Sequence, residues 1–225
     1  MPLPDDRPAL QVHQPWPHAR PSCRHCQLRA SGSSGPPVLV HPGTSPLVCQ
    51  RHRHWLGPAG ETTQYDLSAA GEILTAARRR TRLLARSPDR KWAADIFHAA
   101  WSMAEGWTEC DPRRMPVFSQ RWRDRAAALG ITTGKWPPPR VVTFPEAVTL
   151  TAILTDLNWR RYVALEWDDR PFYQHIAESI GERSYPRFFL RNDPISRWIH
   201  GHRARFADIR CRAWRHPVPE NRHFK

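Results

Sequence analysis

Lysine is nearly missing from this 225-residue chain: of 34 basic residues only Lys91, Lys135 and Lys225 are lysine, and the rest are arginine. The formal net charge of +13 therefore sits on planar guanidinium forks, which grip phosphates and carboxylates and stack on rings, so a polyanionic partner is expected. A GC-rich coding bias raises Arg, Pro, Ala and Gly too, and proline numbers 23, so composition alone decides little. Long apolar runs are also missing. No stretch of about 20 apolar residues exists, which excludes a helical membrane span. The N-terminus shows neither a basic segment leading into an apolar run nor a small-residue cleavage site, and cysteine occurs five times, an odd number. Both features point to a reducing cytoplasm. P-loop, dinucleotide glycine motif and nucleophile elbow are all absent.

Sustained alternation of polar and apolar residues is confined to short pieces such as Arg140 to Phe144, so the expected fold is mainly α. Six prolines between Pro2 and Pro21 forbid helix and define residues 1–22 as a proline-rich arm without order of its own. Residues 23–60 are turn-rich, and their single apolar cluster (Val38, Leu39, Val40, Leu47, Val48) suits a small knuckle module. Residues 61–214 carry helical spacing for about six helices. Asp66 or Ser68 is expected to cap the first, with Ile73, Ala77, Thr81 and Leu84 on one stripe and arginines over the rest. Ser87-Pro88-Asp89 opens the second, where Trp92, Ile96, Ala100, Met103 and Trp107 recur, flanked by Phe97 and Trp101; it reads as the most buried helix. A third covers about 116–129 and stops at Gly130. Thr143-Phe144-Pro145-Glu146 reads as a capping box for the fourth. Asp168 or Asp169 with Pro171 starts the fifth, ended by Gly181, and Asp193-Pro194 the sixth. Residues 215–225 read as a loose basic tail.

Cys23-x-x-Cys26 and Cys49-x-x-His52, with 22 residues between them, match how tetrahedral zinc is held. Each pair sits on a tight turn that aims two ligands at one point, while the loop between is free to vary. Three thiolates and one imidazole fill all four positions of a Zn2+ ion and leave no place for a catalytic water, so the expected role is structural. A redox couple would need Cys-x-x-Cys at a helix start after a buried strand, whereas this pair follows a proline-rich arm. His25 and His54 compete with His52, which is preferred because it repeats the spacing of the cysteine pair; His41 is more distant. Cys110 and Cys211 read as isolated thiols.

The segments CRHC, VCQRHRHWLG, QYDLS and EILTAARRRTRLLAR resemble the zinc-finger start of TniQ-type proteins, the transposition-associated targeting adaptors, over about residues 20–107. The prolines that follow the cysteines in that family are absent here, as is the further cysteine knuckle often found there after the leucine. The resemblance implies zinc on Cys23, Cys26, Cys49 and His52, and an adaptor that engages DNA or another nucleic acid, or a nucleoprotein machine, without doing chemistry itself. Arg51, Arg53 and His54 lie beside the second knuckle, and Arg78, Arg79, Arg80, Arg82 and Arg86 follow on the first helix, where a fixed finger would present them to phosphates. A solvated helix face, with Trp55 packing the finger, is the plainer reading of the same residues.

Three rivals remain. Ala177-x-x-x-Gly181 has helix-turn-helix spacing, although Glu182 takes a normally apolar place and Pro186 interrupts the second helix. Glu166, Asp168, Asp169, His200 and His202 contain the residue types of a metal-dependent nuclease, but the adjacent aspartates before a proline read more simply as a cap. Eleven tryptophans, Trp136 beside Pro137-Pro138-Pro139 among them, suit a protein-interaction module without nucleic acid.

Overall fold

The computed structural model describes residues 20–32, 39–40, 46–58, 61, 63–108, 116–131, 138–183, 185 and 193–205. The proline-rich arm up to residue 19, His41, Trp136, Cys110, Cys211, Pro186 and the tail lie outside the described residues. The fold is mainly α, as expected, with eight helices and two very small sheets among the described residues. Contacts divide the chain between Asp66 and Leu67, six residues beyond the boundary that composition suggests. The reason is local: Tyr65–Asp66 is a strand of the N-terminal unit, so Asp66 caps no helix.

In the N-terminal unit, β1 (Arg20–Pro21) pairs antiparallel with β2 (Leu39–Val40), and α1 (Arg24–Ser31) lies between them in sequence. A three-stranded antiparallel sheet follows, β3 (Val48–Cys49), β4 (His54–Trp55) and β5 (Tyr65–Asp66), in the order β3-β4-β5. Gln64 ties the two parts together: its side-chain amide donates to the Ser22 carbonyl at 2.9 Å, and its oxygen accepts from the Arg24 amide at 3.3 Å.

The second unit holds α2 (Gly71–Arg86), α3 (Arg90–Trp107), α4 (Pro116–Ala128), α5 (Arg140–Thr155), α6 (Leu157–Leu165), α7 (Arg170–Ile180) and α8 (Pro194–Arg205). Helix α5 is its centre, contacting α2, α3, α4, α6 and α7. Eleven of its 16 residues are buried against seven of 18 in α3, so α5, not α3, is the most buried helix. On α3 the buried stripe runs through Ala93, Phe97, Ala100, Trp101, Ala104 and Trp107, while Trp92 and Ile96 sit at its edge. Phe97, Trp101 and Phe144 pack as a tilted and edge-to-face triad with centroids 5.1–6.0 Å apart.

Two helix starts differ from their sequence signals. Helix α2 begins after Ala70, with no side-chain cap. Helix α5 begins at Arg140, so Thr143-to-Glu146 is not a capping box: the Thr143 hydroxyl donates back to the Arg140 carbonyl, and the Glu146 carboxylate is taken by Arg125. Pro145 thus lies inside the helix, unable to donate to the Val141 carbonyl, and the next carbonyl, Val142, accepts from Arg125 instead. Helix α6 has no counterpart in the sequence reading. Asp156 separates it from α5 and caps it, accepting from the Asn158 and Trp159 amides at 2.8 and 3.2 Å.

The starts of α3, α7 and α8 fall where the sequence puts them, although Asp169, at the N-cap of α7, makes no capping bond and pairs with Arg203 instead. Asp89 accepts from the Trp92 amide, Pro171 stands in the first turn of α7, and Asp193 accepts from the Ser196 amide at 2.8 Å. Gly181 ends α7 at φ +81°, and a Cβ there would lie 2.8 Å from Arg121 Nη2, whose partner nitrogen donates to the Ile180 carbonyl at 2.8 Å. Gly181→Ala is therefore expected to lower stability by about 1–2 kcal/mol, read as a lower denaturant midpoint at unchanged slope.

Candidate metal centre

Contrary to the sequence expectation, the Cys-x-x-Cys pair does sit at a helix start just after strand β1. Cys23 precedes α1 and Cys26 stands in its first turn, so a spacing of three places both sulfurs on one side. It is the convergence of Cys49 and His52 on the same point that speaks against a redox couple. The other knuckle is the tip of the β3–β4 hairpin. Cys49 pairs with His54 across the strands, and residues 50–53 form the turn that carries His52. Arg53 closes this turn at φ +53°, a left-handed conformation that costs a non-glycine residue about 1 kcal/mol.

The four ligand atoms, Sγ of Cys23, Cys26 and Cys49 and Nδ1 of His52, all lie within 4.8 Å of one another. Cys26 Sγ is 3.8 Å from Cys49 Sγ, and His52 Nδ1 is 3.5, 3.2 and 3.5 Å from the sulfurs of Cys23, Cys26 and Cys49. Disulfide sulfurs stand about 2.05 Å apart, and all three cysteines are free. A tetrahedron with bonds of about 2.3 Å to sulfur and about 2.0–2.1 Å to nitrogen has edges of about 3.8 Å between sulfurs and about 3.5 Å between sulfur and nitrogen. The four spacings of 3.2 to 3.8 Å lie close to those edges, and the whole group stays within 4.8 Å.

The electrostatics agree. Burial, then the Cys49 thiol and the Cys23 thiol, push the Cys26 thiol up to about 11, because three sulfurs facing one point cannot all ionise without a cation among them. His52 is held below its ordinary pKa, first by desolvation and then by His25, Arg51, Arg29 and His54, which favours the neutral imidazole that ligates metal. The rival imidazoles point elsewhere. His54 Nδ1 stands 2.6 Å from the His52 carbonyl oxygen, and the His25 ring packs 4.7 Å from His54 and 5.4 Å from His52.

No family model, curated protein or solved structure matches this chain. The likeness to TniQ-type proteins accordingly rests on the quoted segments. An N-terminal cluster of three cysteines and one histidine, arranged to hold a metal ion, stands on the geometry alone.

Around the cluster, Arg51 and Arg53 are exposed on the hairpin turn and His54 is half-buried. Helix α1 adds Arg24 and Arg29, both exposed. Sequence reasoning missed them because a short polar helix has no apolar stripe to announce it. In the helical unit Arg78, Arg79, Arg82 and Arg86 are exposed on α2. Arg79 reaches Thr149 Oγ1 at 3.4 Å. Arg80 turns inward, its guanidinium 4.4 Å from the centre of the Phe97 ring.

Of the residues suspected of nuclease chemistry, Asp168, Asp169 and His202 are engaged otherwise. Asp168 pairs with Arg170 at 2.7 Å, Asp169 pairs with Arg203, and His202 Nε2 lies 3.1 Å from the Arg160 carbonyl with its ring stacked on Trp198. His200 is exposed on α8. Among the described residues, the Cys3His group is the one cluster able to hold a metal ion, and no helix is long and apolar enough to cross a membrane. The proposed turn at Gly181 leads into a buried Glu182, whose amide closes the end of α7 on the Ala177 carbonyl at 2.9 Å; the would-be recognition helix lies outside the described residues.

Proposed function

We propose that the N-terminal unit is a zinc finger whose arginines hold nucleic-acid phosphates, within a non-catalytic adaptor of the kind that its resemblance to TniQ-type proteins implies. Zinc suits three thiolates and an imidazole better than harder or redox-active ions do, and a filled tetrahedron gives it a structural role. The observation that carries the reading is the exposure of Arg24, Arg29, Arg51 and Arg53 on the unit that the cluster organises, against Glu61 and Asp66 as its acids among the described residues. A metal-fixed turn holds such side chains in place before the phosphate arrives, which lowers the ordering cost of binding. Arg78, Arg79 and Arg82 on α2 are the second candidate contact set.

Affinity for duplex DNA is expected to fall steeply with salt. Arg51→Ala with Arg53→Ala should flatten the log–log slope by about 0.9 for each phosphate that is no longer neutralised. Affinity independent of salt would end the phosphate reading. One observation favours interaction with protein instead: Trp167 and Leu157 of the helical unit are 67% and 56% exposed. A partner that stays bound after nuclease treatment, and is released by Trp167→Ala, would favour that alternative.

A further inference from the structure

Helices α3 and α8 of the second unit leave an open groove between them. Trp92, Asp95, Ile96 and Ala99 line it from α3, Trp198, Gly201 and His202 from α8, and Arg160 from α6, around a cavity of about 520 Å3. A second cavity of about 680 Å3 continues it, sharing Ala99, Arg197 and Trp198. Gly201 borders open space, since a Cβ built on it meets nothing within 4 Å, although glycine inside a helix costs about 0.5–1 kcal/mol relative to alanine.

The lining combines ring surfaces with cations. The Arg160 guanidinium lies 4.6 Å from the centre of the Trp92 ring, and its Nε is buried without a hydrogen-bond partner. Trp198 stacks with Phe172 and with His202, ring centres 5.8 and 4.8 Å apart, so the α8 wall is aromatic. Arg197 is a second guanidinium on the same wall, and the Asp95 carboxylate is exposed on the α3 side. Ring walls suit a flat heterocycle, guanidinium groups suit a phosphate, and a carboxylate accepts from an exocyclic amine. A cavity of this size suits a small ligand.

From these features we infer that the α3–α8 groove binds a nucleotide, an aromatic base carrying a phosphate, either free or as an unpaired base within a single strand. The site belongs to the helical unit and does not depend on the finger reading. The test titrates the full-length chain with adenosine monophosphate, adenosine, inorganic phosphate and a short single-stranded oligoadenylate. Saturable binding of the monophosphate is expected, with adenosine and phosphate each at least tenfold weaker. Arg160→Gln should weaken the monophosphate about tenfold or more, the effect of removing one charge-assisted hydrogen bond to phosphate. Gly201→Leu should fill the groove and abolish binding while the melting temperature holds or rises. Binding of the oligoadenylate alone, abolished in Gly201→Leu, would identify the strand as the source of the base. The inference is overturned if neither the monophosphate nor the oligoadenylate binds, or if both bind Gly201→Leu as they bind the native chain. Arg51→Ala with Arg53→Ala should leave the monophosphate affinity unchanged, which separates this site from the finger.

Discussion

Arg125→Met is expected to destabilise the protein by about 3–5 kcal/mol, the usual result of removing one partner from a buried ion pair. Arg125 is 3% exposed and joins three helices. From α4 it meets Glu72 of α2 through Nε and Nη2 at 2.6 and 2.9 Å, and Glu146 of α5 through Nη1 and Nη2 at 2.8 and 3.0 Å. It also donates to the Val142 carbonyl beside the Pro145 interruption, and Trp122 Nε1 adds a bond to Glu146 at 3.3 Å. Without the guanidinium, Glu146 remains at 3% exposure with Trp122 and a distant Arg121, 4.0 Å away. Denaturant unfolding checks the value. In Arg125→Met with Glu146→Met the destabilisation should be smaller than the sum of the two single effects, because no unpaired charge is then left inside.

The same network sets a pH dependence. Desolvation raises the pKa of Glu72, but the hydrogen bond and charge of Arg125 outweigh it and hold the carboxyl below its reference value of 4.5. A depressed folded pKa means that the unfolded chain binds the proton first. The Glu72 contribution is therefore full above about pH 4.5 and is lost as pH falls through the folded value. Acid unfolding of Glu72→Gln should lack this component.

Metal removal is the other large effect. The full chain is expected to purify with one zinc per molecule, and Cys49→Ser or His52→Ala to lose it, whereas His54→Ala keeps it. Binding at a structural zinc site is worth about 10–16 kcal/mol and is felt as folding energy. The described strands of the N-terminal unit are two residues each, too short to hold without a crosslink. After chelation, proteolysis should cut the first 66 residues while far-ultraviolet circular dichroism keeps most of its helical signal, because α2 to α8 bury a core of their own. Full zinc occupancy in Cys49→Ser would show that the cluster is not the metal site.

The Cys3His cluster was legible because its information is local. Two residues between ligands fix a turn, and a turn aims its side chains whatever surrounds it, so four residues identify a site before any fold is known. Capping is equally local, hence the agreement at Asp89, Pro171, Gly181 and Asp193. Asp156 carried the same signal for α6 and was hidden because only that residue separates α6 from α5. The Thr143-to-Glu146 pattern misled for the opposite reason: a capping box needs its glutamate free to turn back, and here Arg125, 21 positions earlier in the chain, holds it.

The sequence by itself determined the helical class, the ligand set around one point, and an excess of charge carried almost wholly by arginine. Only the tertiary structure decided which arginines face solvent and which do not. Arg125 stands in a run, Arg-Trp-Arg-Asp-Arg, beside exposed Arg123 and Asp124, yet it is the buried centre of three helices, and Arg80 lies on an aromatic ring beside exposed neighbours. A guanidinium keeps its charge in either place, so its role is set by the carboxylates and rings that distant segments bring to it, and residue spacing along one helix does not contain that information.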